Sequence, residues 1–270
     1  MLIAQVTDIH LGFQPDDPAE LNRKRFDDVI TTLLAMEPRP DLLLATGDLS
    51  DQGTIVSYRT MKALCDALPF PVLPALGNHD NREEMRAAFS DKTYIPQDGF
   101  IQYIIDDYPV RLIGLDTNVP KEAYGILCKQ RLLWLEKNLK TNPSKPTLLF
   151  MHHFPMKVGQ KCFDNMICRL EDDLEKLIQS FPNVMGIVAG HYHKMCASLF
   201  GGRICFVAPS TAPTHYFASD EDNYVTAIDL VHPSFTIHRW MGGFQMVSEC
   251  IQAIEYNKRL PMARRESDNE

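Results

Sequence analysis

The chain has 270 residues, 45% of them apolar and 23% charged, enough to bury a large core, which excludes a disordered chain and a disulfide-stapled miniprotein. Its net charge of −8, with no basic tract beyond the short Lys258-Arg259 and Arg264-Arg265 pairs, argues against a long nucleic-acid partner. An acidic chain can still take an anionic substrate, because a bound metal ion reverses the local sign.

No apolar run approaches the roughly 18 residues of a membrane helix. A strand-like run comes directly after Met1, so neither a membrane span nor a signal peptide is expected, and the reading is a cytoplasmic protein. The cysteines at 65, 128, 162, 168, 196, 205 and 250 are odd in number and form no Cys-x-x-Cys pair, so most read as reduced, buried and inert. Cys162 and Cys168 flank a loop-like stretch and would bridge only in an oxidising setting.

In chain order, a strand over Leu2 to Val6 leads to a helical pattern from Pro18 to Met36, a strand over Asp41 to Ala45 and a helix over Ser57 to Ala67. Val72 to Leu76 reads as a strand, Glu83 to Phe89 as a helix, Val110 to Leu115 as a strand and Lys129 to Leu139 as a helix. A strand over Thr147 to Phe150, a helix over Leu170 to Phe181 and a strand over Val184 to Ala189 complete the alternation. This pattern predicts an α/β sheet in one main domain. Arg203 to Val207, Tyr224 to Asp229 and Ser234 to Trp240 then read as antiparallel strands closing one side of the sheet or pairing across from it. The polar tail from Pro261 is expected to fray or to contact a partner. The expected division is a catalytic domain over 1–230 and a C-terminal extension over 231–270, a cap or oligomerisation element. Prolines 38, 40, 69, 71 and 74 fall where helix gives way to strand, and proline ends an element there.

The polar residues at the ends of the apolar runs are more telling. Leu2 to Val6 leads into Asp8-Ile9-His10, Leu42 to Ala45 into Gly47-Asp48, and Val72 to Leu76 into Gly77-Asn78-His79-Asp80. Thr147 to Phe150 leads into His152-His153, and Ile187 to Ala189 into Gly190-His191-Tyr192-His193. Loops at the carboxyl ends of strands converge on one crevice in an open α/β sheet, so these clusters can share a site. Imidazole, carboxylate and an Asn amide oxygen together suit manganese, iron, zinc or cobalt rather than calcium. Asp8 and His10 share a face if extended, as do His191 and His193. With Asp48, Asn78 and one of the adjacent histidines 152 and 153, these make about seven ligands, too many for one catalytic ion with an open position. Two ions fit better, and a two-metal site is a recurring device for hydrolysing phosphate esters. Asp48 is the natural bridging carboxylate, and glycines 47, 77 and 190 permit sharp turns where ligands project.

Asp8-x-His10, Gly47-Asp48-x-x-Asp51, Gly77-Asn78-His79-Asp80, His152 and Gly190-His191-x-His193, in that order, resemble the signature blocks of the calcineurin-like metallophosphoesterase superfamily. The early first block and Met151-His152-His153 are similar to its bacterial branch of cyclic-nucleotide and glycerophosphodiester phosphodiesterases. The resemblance spans residues 2 to about 215. It implies a four-layer α/β/β/α sandwich, here with a small C-terminal antiparallel or cap extension. It implies two divalent or mixed-valence ions (manganese, iron, zinc or cobalt), one held by Asp8, His10, Asp48 and His193, the other by Asp48, Asn78, His152 and His191. The preference for His152 over His153 comes from the resemblance alone. His79 would stabilise charge or donate a proton beside the scissile phosphate, and Asp80 would orient it or its loop.

Other residues carry weaker expectations. Asp51 reads as a helix cap or loop tether. His153 and His215 are candidates for supporting the ligands or touching substrate. His232 and His238 read as exposed strand residues, Trp134 as core, and Trp240 as core or an oligomer contact. Arg23, Lys24 and Arg25 read as a solvated helix face, and Phe154, where many members have proline, as a change in the pocket wall.

The expected function is hydrolysis of small phosphodiesters by attack of a metal-bound hydroxide, with 3′,5′- or 2′,3′-cyclic AMP favoured and glycerophosphodiesters the alternative. Similar phosphodiesterases also imply a homodimer or higher homo-oligomer. A non-catalytic α/β scaffold is the reading from another class. It predicts missing ligands, and every expected ligand type is present.

Overall fold

Short runs rich in Leu, Ile and Val are too brief for a stable helix and suit strands buried on both faces. They form such strands in the computed structural model, which describes residues 1–14, 16–17, 19–170, 174–216 and 227–253. The first half runs β1 (Leu2–Val6), α1 (Leu21–Leu34), β2 (Leu42–Thr46), α2 (Ile55–Asp66), β3 (Val72–Ala75), α3 (Arg82–Ala88), β4 (Tyr103–Ile105), β5 (Arg111–Gly114) and β6 (Gly125–Leu127). Next come α4 (Lys129–Leu139), β7 (Thr147–Phe150), α5 (Lys161–Asp164), β8 (Cys168–Leu170), α6 (Leu174–Ser180), β9 (Val184–Ala189) and β10 (Cys196–Phe200). The chain continues through β11 (Arg203–Val207), β12 (Thr214–His215), β13 (Ile228–Asp229), β14 (Ser234–Gly242) and β15 (Gln245–Gln252).

Two sheets result, ordered β15-β14-β1-β2-β3 and β10-β11-β9-β7-β5-β4. Period-two alternation in the second sheet builds the layers. Leu112, Leu148, Phe150, Val188 and Phe206 join the core of the first sheet and α1 to α3, where Phe26, Val29 and Leu33 of α1 are buried. Their neighbours Ile113, Leu149, Ile187 and Cys205 pack instead with Leu135 and Leu139 of α4 and Leu174 and Ile178 of α6. The architecture is an α/β/β/α sandwich. In each sheet the central strands are parallel, β1 with β2 and β3, and β5 with β7, β9 and β11, so their carboxyl ends gather at one edge.

Several expectations change once tertiary contacts are seen. Arg203–Val207 is parallel to β9 and antiparallel only to β10, an edge strand whose exposed middle hid it from an apolar-run reading. Pro74 lies inside β3 rather than at a junction; β3 is an edge strand, where a missing N–H is tolerated. The start expected at Pro18, part of the strand from Tyr224, the stretch 171–173 and the tail from Pro261 lie outside the described residues. The stretch after residue 230 supplies two strands to the first sheet, β14 pairing antiparallel with β1 from Leu2↔Arg239 to Gln5↔Thr236. The described cysteines are all free.

Arg25 is buried rather than solvated, donating to the carbonyl oxygens of Thr211, Ala212 and Val231 and so tying α1 to the loop after β11 and to the stretch between β13 and β14. His238 is likewise fully buried, because both faces of β14 are covered at this point. Its Nε2 lies 2.9 Å from Gln5 Oε1 and its Nδ1 2.7 Å from Ser248 Oγ. Burial pushes its pKa from 6.5 down to about 3. The unfolded chain therefore takes up a proton that the folded chain refuses. The resulting stability is complete above pH 6.5 and is lost as pH falls from 6.5 towards 3. Denaturant midpoints measured across that interval should fall less steeply for His238→Gln than for the parent.

Candidate metal centre

The polar clusters meet where the strands end. Asp8 and His10 follow β1, Asp48 follows β2, and Asn78 and His79 follow β3, while His152 follows β7 and His191 and His193 follow β9. The backbone there is strained: Asp8, His10, Asp48, His191 and His193 all have φ between 50° and 73°. Among the described non-glycine residues only Lys121 shares that left-handed region, which costs a side chain energy and concentrates at functional sites. The loops are laced together to hold it, with Asp8 N donating to Gly47 O at 3.0 Å and His10 N to Asp48 O at 2.9 Å. The expected sharp turn occurs at Gly47, with φ 94°, whereas Gly77 is required for space, because a Cβ there would strike the Asp48 carboxylate.

Each carboxylate is half used. Asp8 Oδ2 accepts from Thr7 Oγ1 at 2.8 Å and from His191 N at 2.9 Å, leaving Oδ1 buried without a hydrogen bond, 3.3 Å from His193 Nε2. Asp48 Oδ1 accepts from His79 N at 2.8 Å, and its Oδ2 lies 3.3 Å from His152 Nε2 and 3.6 Å from His10 Nε2. Asn78 Oδ1 stands 3.1 Å from His152 Nε2.

The imidazoles are half used in the same way. His152 Nδ1 donates to Thr46 O at 2.9 Å, His193 Nδ1 to Pro213 O at 2.9 Å, and His10 Nδ1 to Asp51 Oδ1 at 3.0 Å. These bonds turn Nε2 of each ring toward the centre. His10 Nε2 and His193 Nε2 then face each other 3.3 Å apart, a pairing that takes a shared proton or a cation between them. His191 Nε2 is buried and has no partner. This donor set fits a metal centre of nitrogen and oxygen ligands.

Electrostatics agree. Burial would raise the Asp8 pKa, but His193 and His152 hold it below the carboxylate range, and Asp48 is depressed against burial by His152 and His10. Burial opposes charge on His152, yet Asp48 and Asp8 lift it to about 9. His193 is raised against burial by Asp8, whereas burial and His152 push His191 down to about 3. Ionised carboxylates thus hold protons on their imidazole neighbours, and a cation taking the same place displaces those protons.

His79 borders the open side, its Nδ1 donating to Asp51 O at 2.8 Å and its ring edge-on to His10. Asp80 points away and accepts from Gly77 N, Leu49 N, Ser50 N and Tyr58 OH, fixing the loop rather than His79 itself. His153 Nδ1 lies 2.7 Å from Thr117 Oγ1, its Nε2 is buried without a hydrogen bond, and a ring nitrogen of His153 is within 4.8 Å of ring nitrogens of His152 and His191. His152 differs in lying beside both Asn78 Oδ1 and Asp48 Oδ2. His215 stacks on His193 with ring centroids 4.1 Å apart. Phe154 lies behind His191, fully buried, and is no part of the cavity wall.

Asp51 is not a cap. Thr54 caps α2, and Asp51 orients His10 from 41 residues away. Sequence reading also missed Asp116-Thr117-Asn118. Asn118 Nδ2 donates to Gly77 O and Asp80 O, Asp116 takes a two-bond clasp from Arg82, and Thr117 holds His153. The signal was present, because this polar triplet comes after the β5 apolar run as the other clusters come after theirs. A cavity of about 360 Å³ opens beside the centre, bordered by His10, Asp48, Asn78, His79, His191, His193 and His215 and by the apolar Phe13, Phe163 and Met166.

Comparison with known proteins agrees with the geometry. The calcineurin-like phosphoesterase family model matches residues 1–195. A probable glycerophosphodiester phosphodiesterase, GpdQ, of Arcobacter nitrofigilis is 32% identical over 247 residues, covering 89% of each chain. A 3′,5′-cyclic adenosine monophosphate phosphodiesterase, CpdA, of Vibrio vulnificus is 30% identical over 249 residues, covering 87% of this chain and 85% of its own. In fold, a dimetal phosphatase from Danio rerio superposes with a TM-score of 0.67 at 14% identity, covering 94% of this chain and 97% of that one. With its strand-end carboxylates and imidazoles, its layered architecture and a family model matched over most of its length, the chain belongs to the calcineurin-like phosphoesterase family.

Proposed function

We propose that the protein is a dinuclear-metal phosphodiesterase acting on small phosphodiesters, with cyclic nucleotides favoured and glycerophosphodiesters the alternative. The observation that carries this reading is Asp48 Oδ2, placed between His152 on one side and His10 on the other while its Oδ1 is tied to the backbone. Asp8, His10, Asp48 and His193 would hold one ion, and Asp48, Asn78, His152 and His191 the other. Manganese, iron, zinc and cobalt all suit these donors. Such ions supply grip on the phosphoryl oxygens and an acidified water for in-line attack. The relatives named as cyclic AMP and glycerophosphodiester phosphodiesterases support the substrate class.

The chain's own groups do the rest. The strained ligand loops hold the donors in place before substrate arrives. His79, with Nδ1–H engaged by Asp51 O, has Nε2 for the leaving oxygen, to which it would deliver a proton as the imidazolium and remain as the neutral ring. We expect Asn78→Ala to empty one metal position and to cost most of the activity. His79→Ala should keep both metals while lowering turnover by roughly 10²–10⁴-fold. Metal analysis beside kcat separates the two, and loss of metal from His79→Ala would contradict its assignment.

The decisive experiment quantifies bound metal and assays the manganese-supplemented protein on 3′,5′-cyclic AMP, 2′,3′-cyclic AMP, glycerophosphoethanolamine and bis-p-nitrophenyl phosphate. About two ions per chain with turnover supports the reading, and neither metal nor turnover overturns it. The C-terminal stretch from residue 231 is read as serving oligomerisation. The largely exposed edge strand β15 supports this, since its free backbone groups suit pairing with a second copy. Sedimentation showing only monomer would remove that part.

A further inference from the structure

Phe13 is 51% exposed, yet its backbone is fixed on both sides. Gly12 N donates to Glu20 Oε1 at 2.5 Å and Gln14 N to Glu20 Oε2 at 2.8 Å, so one buried carboxylate grips both neighbours of Phe13. Gln14 Oε1 in turn accepts from Leu21 N at the start of α1. Gly12 adopts φ 85°, and a Cβ there would meet Ser57 Oγ at 2.5 Å, so the turn is built for glycine. A lone exposed phenyl is ordinary on a surface. One held on a clamped turn at the rim of a reaction cavity calls for another explanation.

The same cavity is bordered by Phe163, Met166, Pro213 and His215. Behind them the rings form a continuous chain. His191 meets Phe154 at 6.0 Å, Phe154 meets Tyr192 at 5.9 Å, and Tyr192 meets Phe163 at 4.8 Å. Phe163 then meets His215 at 5.4 Å, and His215 meets His193 at 4.1 Å. The wall is therefore stiff, and it is anchored to the candidate ligands themselves. No Lys or Arg is among the described residues bordering the cavity, and its carboxylates are Asp48 and Asp51, so a second anionic group on the substrate has no counter-charge. Set against Phe13, Phe163 and Met166, a hydroxyl-rich ester group would leave its polar atoms facing carbon. A flat, uncharged, aromatic group would not.

From these contacts we infer that Phe13 is a specificity-determining residue, closing with Phe163 and Met166 over the nucleobase of a nucleoside phosphodiester. This rests on the phosphodiesterase reading above and narrows its substrate class. Stacking of a base on an aromatic side chain tolerates any base, so the wall selects for bases without choosing among them.

The test compares the full-length, manganese-loaded parent with Phe13→Ala and Phe13→Trp on 3′,5′-cyclic AMP, glycerophosphoethanolamine and glycerophosphocholine. In Phe13→Ala the ratio of kcat/KM for cyclic AMP over glycerophosphoethanolamine should fall about 10-fold or more, mainly through KM, the scale of one lost base stack. Phe13→Trp should restore it. An unchanged ratio overturns the inference, and so does a loss centred on glycerophosphocholine, which would assign the rings to an ammonium group. Adenosine, which carries the base and no diester, gives a readout free of turnover through its binding in calorimetry. Adenosine binding that weakens in Phe13→Ala while no diester is hydrolysed would keep the wall and sink the hydrolase. Diester turnover with adenosine binding absent or indifferent to Phe13 would do the reverse.

Discussion

Asp48→Asn is expected to abolish activity, with a fall of roughly 10³-fold or more, because it removes the one charge that serves both candidate ions. The amide can still accept from His79 N through Oδ1, where the carboxylate accepts at 2.8 Å, so the loop keeps its course. The loss falls on the other atom. Oδ2 faces His10 and His152, and an NH₂ there points hydrogens where a cation belongs. Stability supplies a second readout. Manganese at 100 times its dissociation constant adds about 2.7 kcal/mol to the parent by mass action, and this gain should shrink sharply in the variant. An Asp48→Asn protein that still gained thermal stability from manganese and turned over diesters at the parent rate would remove Asp48 from the centre.

Asp80→Ala is expected to be the most damaging change to the fold around the site. Asp80 is 6% exposed and accepts from Gly77 N at 2.8 Å, Leu49 N at 3.3 Å, Ser50 N at 3.2 Å and Tyr58 OH at 2.8 Å. Alanine leaves these buried donors unpaired at a cost of about 3–5 kcal/mol. Burial and the nearby Asp48 raise the Asp80 pKa while its hydrogen bonds oppose the rise, so those bonds keep the charge tolerable. The loops it joins carry Asp48 on one side and Asn78 on the other. Lower denaturant midpoints should therefore come with poorer manganese uptake. Asp80→Asn, which keeps acceptor capacity at one position only, should fall between parent and alanine. Parent-like stability in Asp80→Ala would show that water or loop movement satisfies the donors instead.

Much of this arrangement is written locally in the chain. The apolar runs make strands, three-to-four spacing makes helices such as α1, and the polar clusters come straight after strand ends, so their order can be read residue by residue. The broad fold comes from the same signals, because alternating strands and helices have few ways to pack. The His152-His153 pair marks where local information stops. The two are chemically identical neighbours, and their different surroundings, Thr46 O, Asn78 and Asp48 for one and Thr117 for the other, come from tertiary packing alone.

Local order along the chain dictates which donor types end which strands, and so the family and the chemistry open to it. Packing selects which atom of each donor is free. Asp51 is 41 residues from His10, Thr46 is 106 from His152, and Pro213 is 20 from His193, yet these partners choose the nitrogen that faces the centre. Packing also buries His238 and Arg25, because exposure depends on what the second sheet and the loop after β11 lay over them. Strand periodicity records which face a side chain takes, and only the packed layers determine whether water reaches that face.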